Sequence, residues 1–125
     1  MQYTIDSDAE FLLVKVWGRE ADRPPSEVCA AILSESAKLG RNRILIELDQ
    51  KAPLSVTSQF HLIGNLPQLG FTAAHRIALV HSTPDMHEAN QFINLIAENR
   101  GLMVRNFQGQ EVAKQWLREA DGAGA

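Results

Sequence analysis

Arg43-Ile44-Leu45-Ile46-Glu47-Leu48-Asp49 is the stretch on which the fold turns. Its apolar residues run together instead of alternating with polar ones, so it predicts a strand covered on both faces. Strands of that kind are usually parallel. Two later segments repeat the pattern: residues 76–81, built on Ile77-Ala78-Leu79-Val80, and residues 102–107, read as a third inner strand. Parallel strands need crossover connections, and the sequence between these segments has helical periodicity.

Working outward, residues 2–5 and 11–17 are β-prone on either side of Asp6-Ser7-Asp8-Ala9-Glu10, which predicts a hairpin interrupted at Gly18. Asp22-Arg23-Pro24-Pro25-Ser26 is helix-start chemistry. The helix that follows carries Val28, Cys29, Ile32, Leu33, Ser36 and Leu39 on one stripe and closes at Gly40. A second helix starts near Ser55 and turns Phe60, Ile63 and Leu66 inward, with Pro67 and Gly70 ending or distorting it. Residues 85–100 form the clearest helix, with Met86, Ala89, Phe92, Ile93, Ile96 and Ala97 on its stripe and Gly101 beyond its end. Residues 110–120 place Val112, Ala113, Trp116, Leu117 and Ala120 on one face. Residues 121–125 read as a flexible tail after a single domain spanning 1–120.

The predicted order is β-β-α-β-α-β-α-β-α, an α/β domain. Right-handed crossovers then give a mostly parallel five-stranded mixed sheet with an antiparallel opening hairpin and four packing helices. Ligands of such sheets sit where strand carboxyl ends meet helix amino ends. The loops to inspect are residues 17–23, 49–57, 81–85 and 107–110.

Composition narrows the function. The chain has 125 residues, 45% hydrophobic and 22% charged, with a formal net charge of -3. A domain of this length buries about two-thirds of its unfolded surface and needs no disulfide or structural metal. The single cysteine, Cys29, removes any internal disulfide or Cys-rich zinc site, fits a reducing cytoplasm, and is expected as a buried, unreactive thiol. Scattered cations and an acidic balance argue against nucleic acid. No apolar run is long enough for a membrane-spanning helix, and the amino terminus has no signal-peptide pattern. The expected location is the cytoplasm.

Three clusters have the residue types for chemistry. Ser55, Thr57 and Ser58 stand at a predicted helix start, where N–H groups favour a phosphate; they equally suit plain capping. His81-Ser82-Thr83-Pro84-Asp85-Met86-His87-Glu88 follows a buried strand, so His81, Thr83 and Asp85 are candidates at a strand-end loop. Gln91 stands where a His-Glu-x-x-His zinc motif would need its second histidine. Trp17, Arg19, Asp49 and Lys51 fall in neighbouring strand-end loops. An aromatic face beside two cations suits an anionic or amphipathic ligand, while the alternative is a tryptophan packed at the sheet edge. Trp116, by its spacing, is core.

The hairpin, the run Ile44-Leu45-Ile46-Glu47-Leu48-Asp49, the hydroxyl-rich helix start and the ending Val104-Arg105-Asn106-Phe107-Gln108-Gly109-Gln110-Glu111-Val112-Ala113-Lys114-Gln115-Trp116-Leu117 together resemble the STAS fold. In particular they resemble its stand-alone bacterial SpoIIAA-like, or STAS/Sec14-like, branch. The resemblance implies a non-enzymatic binding or regulatory module without a cofactor or a metal. It acts on a protein partner or a small amphipathic ligand, does not insert into membranes, and is open to homodimer formation. It also places Ser55, Thr57 and Ser58 at the family's phosphoacceptor position, with Thr57 the nearest match. The aspartate and glycine of the family's Asp-Ser-Ser/Thr-Gly motif are not present here. Two alternatives stand beside it: a Sec14-like site for a lipid or other apolar ligand, and an enzyme using the loop from His81 to Glu88.

Overall fold

The computed structural model describes residues 2–18, 25–49, 63–81 and 92–119. Within them the order is β1 (Gln2–Ser7), β2 (Leu12–Trp17), α1 (Pro25–Leu39), β3 (Arg43–Asp49), α2 (Leu66–Leu69), β4 (Arg76–His81), α3 (Phe92–Asn99), β5 (Met103–Phe107) and α4 (Gln110–Arg118). The domain is α/β, with one five-stranded mixed sheet in the order β1-β2-β3-β4-β5. β1 and β2 are antiparallel and every later pair is parallel, as the sequence predicts.

Strands added in sequence order by crossovers of one hand leave their connections on one side of the sheet. That face carries the rows Leu12, Ile44, Ile77, Val104 and Val14, Ile46, Leu79, ending in Val16, Leu48 and His81. Val28 and Ile32 of α1, Ile63, Leu66, Phe71, and Ile93 and Ile96 of α3 bury it. The opposite face has α4, whose Ala113, Trp116 and Leu117 pack on Phe11, Leu45, Ala78 and Val80. One short helix does not cover a five-stranded face, and the strands take polar residues beyond it: Lys15 and Arg105 are exposed and Glu47 is half-buried.

The turn between β1 and β2 is built on Asp8, whose Oδ1 accepts the backbone N–H groups of Glu10 and Phe11, both at 2.8 Å. α1, α2 and α3 share one ending, a left-handed glycine followed by a backbone bond back to the residue five positions earlier: Arg41 to Ser36, Phe71 to Leu66 and Leu102 to Ala97. At the first of these the fully buried Ser36 adds a second tie, its hydroxyl donating to the Arg41 carbonyl at 2.6 Å.

Several expectations are corrected. β5 is an edge strand that alternates between exposed and buried residues. Val104 and Asn106 face the helix-covered side. On the other face Met103 and Arg105 are exposed, and Arg105 reaches only the rim of α4, with its guanidinium 5.8 Å from the Trp116 ring. Leu39, expected on the inner stripe of α1, is 40% exposed at the helix end. Val112 is 58% exposed, because it sits about 100° round the helix from Ala113, towards solvent. The expected end or distortion near Pro67 is present: Ile63 and Gly64 are helical and Asn65 is a turn. Pro67 itself lies in the first turn of the short α2, where its missing N–H has no helical partner to lose, and Gly70 closes that helix. The second helix near Ser55 and the first part of the helix over 85–100, with Phe60, Met86 and Ala89, lie outside the described residues.

Candidate functional site

The carboxyl ends of β2, β3 and β4 lie side by side, and the register pairs Trp17 with Asp49 and Leu48 with His81. β5 ends beside β4, and the turn through Gly109 sends α4 back over the sheet, so Gln110 reaches the same edge. Glu47, Leu48, Asp49, Val80, His81 and Gln110 together line a cleft of about 310 Å³. The Gln110 side-chain amide donates to the Glu47 carboxylate and ties the first turn of α4 to the edge of β3. Lys15, the register partner of Glu47, lines a neighbouring cleft of about 220 Å³ with Asp6 and Lys114.

The candidate residues divide. Trp17 and Asp49 come together as adjacent, exposed strand ends. His81 belongs to the same edge but is only 4% exposed, on the helix-covered face of the sheet. Its Nε2 lies 2.6 Å from Oδ1 of Asn106, and since that oxygen can only accept, the ring nitrogen is the donor. Asn106 is held in turn by its backbone N–H, which donates to Asn94 of α3 at 2.8 Å. The histidine is thus part of an internal polar chain linking β4, β5 and α3, and one edge of it meets the cleft. Arg19, Lys51, Ser55, Thr57, Ser58, Thr83 and Asp85 lie outside the described residues. Among the described residues no group of three or more His, Cys, Asp or Glu is placed to hold a metal ion, and no helix is long and apolar enough to cross a membrane.

Glu47, Leu48, Gln110 and Asn106 are site residues that the sequence reading did not single out. The available signal was Glu47, an acid inside an otherwise apolar run; nothing local to Gln110 shows that it meets Glu47.

Beneath α1 the helix-covered face has a partly open apolar pocket of about 70 Å³, lined by residues from α1, the sheet, Ile63, Leu66, Phe71 and Ile93, and by Cys29. Burial pushes the Cys29 thiol up to about 12, so it is a protonated wall group at neutral pH; the residue, expected to be buried, is half-buried. Phe92, on the stripe of the same predicted helix, packs against the core without lining this cavity.

No family model matches the chain, and no curated protein matches it significantly. Its structure is similar to that of the anti-sigma factor antagonist SpoIIAA in its unphosphorylated form. The match has a TM-score of 0.54 at 14% sequence identity, over 94% of this chain and 96% of that one. Over nearly its whole length, then, this chain has the STAS-like fold of SpoIIAA.

Proposed function

We propose that this chain is a non-catalytic regulatory module that binds a protein partner or a small ligand at the carboxyl edge of its sheet. The observation that carries the reading is the end-to-end likeness in fold to an anti-sigma factor antagonist. The edge itself adds support: Trp17 and Asp49 are exposed there above a cleft whose histidine is engaged internally. An aromatic ring at a polar rim is a common anchor for a partner. On this reading the protein works in the cytoplasm, and Ser55, Thr57 and Ser58 are its phosphoacceptors, Thr57 first. Arg19, Lys51, Thr83 and Asp85, outside the described residues, are further ligand-binding candidates on this reading. A second copy has a docking edge in β1, the outer strand of the hairpin.

The test is photo-cross-linking in native cells from position 17, with position 95 on the exposed side of α3 as the control. The expected result is one discrete adduct from position 17 and none from position 95. Intact-mass measurement reads phosphate on the three hydroxyls, and light scattering reads the stoichiometry of self-association. A specific turnover by the purified protein, lost in His81→Ala, would overturn the non-catalytic reading.

A long acyl chain, as a Sec14-like function would require, does not fit a cavity of about 70 Å³. An engineered cavity of about 150 Å³ already fills with one benzene.

A further inference from the structure

We propose that the amino end of the sheet, opposite the carboxyl edge, holds a second site, in which Arg41, Arg43 and Arg76 take a small phosphate dianion. It stands independently of the reading of the carboxyl edge as a recognition surface.

The strand register makes this site. Arg43 and Arg76 are the first residues of β3 and β4 and pair directly. They share strand parity with Leu45, Ala78 and Val80, so both stand on the face that carries α4. Like charges set side by side on neighbouring strands repel. Arg41 brings a third guanidinium from the turn before β3. All three line one open cleft of about 410 Å³, together with Glu10 and the turn residues Gly40, Asn42 and Ala74. That volume is within the range of small-ligand sites, about 300–1,000 Å³.

Glu10 is the acid among the described lining residues, and Arg118 takes both of its oxygens, Nε to Oε2 at 2.9 Å and Nη2 to Oε1 at 3.2 Å. The two acids that follow Arg118 in the sequence, Glu119 and Asp121, do not balance three guanidiniums. The cleft therefore keeps an excess of positive charge.

The arginines are also held in place. Arg41 donates its Nε to the Asp8 carbonyl at 3.1 Å, and the Ser36 hydroxyl fixes the Arg41 carbonyl at 2.6 Å. The backbone N–H of Arg76 donates to the Asn42 carbonyl at 2.8 Å and ties the two strand ends together. Arg76 lies over the Trp116 ring and gives its Nε to the carbonyl of that residue. With Nε serving the protein in both, the Nη pair is the fork that meets an oxyanion. Side chains fixed beforehand lose little freedom on binding. A phosphate dianion, with two charges and several terminal oxygens, suits such forks, while a carboxylate brings one charge and two oxygens.

The test is an NMR titration of the whole chain at about pH 8, where phosphates are dianions, reading backbone amides and arginine Nε–Hε signals. The probes, at constant ionic strength, are glycerol 3-phosphate, inorganic phosphate, acetate and chloride. Both phosphates should saturate in the millimolar range and shift the amides of Arg41, Asn42 and Ala74 together with Nε–Hε of Arg41 and Arg76. Tighter binding of glycerol 3-phosphate assigns the dianion to an ester, and equal binding assigns it to free phosphate. Acetate should bind about tenfold more weakly, and chloride should leave these signals in place. Arg41→Gln and Arg43→Gln should each weaken phosphate about tenfold, as the loss of one charge-assisted contact implies. Arg100→Gln removes the same charge outside the cleft and should change nothing. The midpoint of thermal unfolding confirms that each variant folds.

Equal affinity for phosphate and acetate, binding unchanged in both cleft variants, a matching response to chloride, or no saturation would overturn the proposal. So would phosphate that binds tenfold more tightly to Asp121→Asn, because the cleft then belongs to the chain's own carboxylate.

Discussion

The guanidinium of Arg76 lies 4.1 Å above the Trp116 ring while its Nε donates to the carbonyl of that same residue at 2.8 Å. Arg76 is the first residue of β4 and is buried, so the pair fastens α4 to the sheet through one side chain that meets both the ring and the backbone of its partner. Phe107 packs on the other part of the indole at 5.5 Å. Trp116→Ala is expected to cost about 3–5 kcal/mol, the range for truncating a buried aromatic. A double-mutant cycle with Arg76→Gln and Trp116→Phe in urea should return a coupling of about 0.5–2 kcal/mol. Strict additivity would show that the stacking contributes nothing.

Gly70 closes α2 with φ of +117°, and a Cβ built there would stand 2.9 Å from Cδ2 of Leu33 in α1. Gly70→Ala meets both a backbone penalty and a clash, and should lower stability by about 1–3 kcal/mol. Placed on a Leu33→Ala background it should cost measurably less, because the clash is gone and the backbone term remains. Denaturant midpoints of the four proteins decide this.

Cys29 titrates near 12 in the fold against an ordinary 9.0, a difference of three pH units. At neutral pH its thiolate fraction is therefore about a thousandfold below that of an unfolded thiol, and alkylation of the native protein should be slower by about that factor or more. The raised value also fixes the sign of the pH dependence. The thiol's contribution to stability is full below pH 9 and is lost as pH rises from 9 towards 12, where the unfolded chain ionises first. Cys29→Ala should flatten that alkaline limb. An alkylation rate matching that of the denatured chain would show that the wall of the cavity is open.

The carboxyl of Asp8 is held below its usual range of 3.8 by the Phe11 N–H and then by the Glu10 N–H. A lowered carboxyl stabilises above its unfolded pKa and loses that contribution as pH falls through the folded one. The hairpin should therefore weaken below about pH 4, and Asp8→Asn should shrink the acid loss of stability. Amide exchange across β1 and β2, compared at pH 6 and pH 3, reads this locally. An acid limb unchanged in the variant would contradict the role of the turn.

β3 and β4 were legible from sequence to the residue, because a run of apolar residues covered on both faces is written into the strand itself. β5 was not, since an edge is a property of the sheet order, and Leu102 to Phe107 contains no mark of having a single neighbour. The break near Pro67 is legible, because proline is tolerated in a first helical turn and not in a helix interior; that a new short helix starts there is not, since that depends on where the preceding turn stops. The strand-end rule names Trp17, Asp49 and His81 as candidates, and the register brings these three to one edge of the sheet. The Glu47–Gln110 bond joins residues 63 positions apart, and His81 meets Asn106 across 25; such pairings follow from register and helix return. The internal engagement of His81 could not be read from a histidine that simply follows an apolar run.

The central claim is that the carboxyl edge of the sheet recognises a partner. It is tested most directly by quantifying the native complex recovered with wild-type protein and with Asp49→Lys, a change at an exposed strand end that leaves the core untouched. The account predicts at least about a tenfold loss of the complex, as for a charge reversal inside an interface, with the unfolding midpoint unchanged. Full recovery of the complex by a folded Asp49→Lys protein would contradict it.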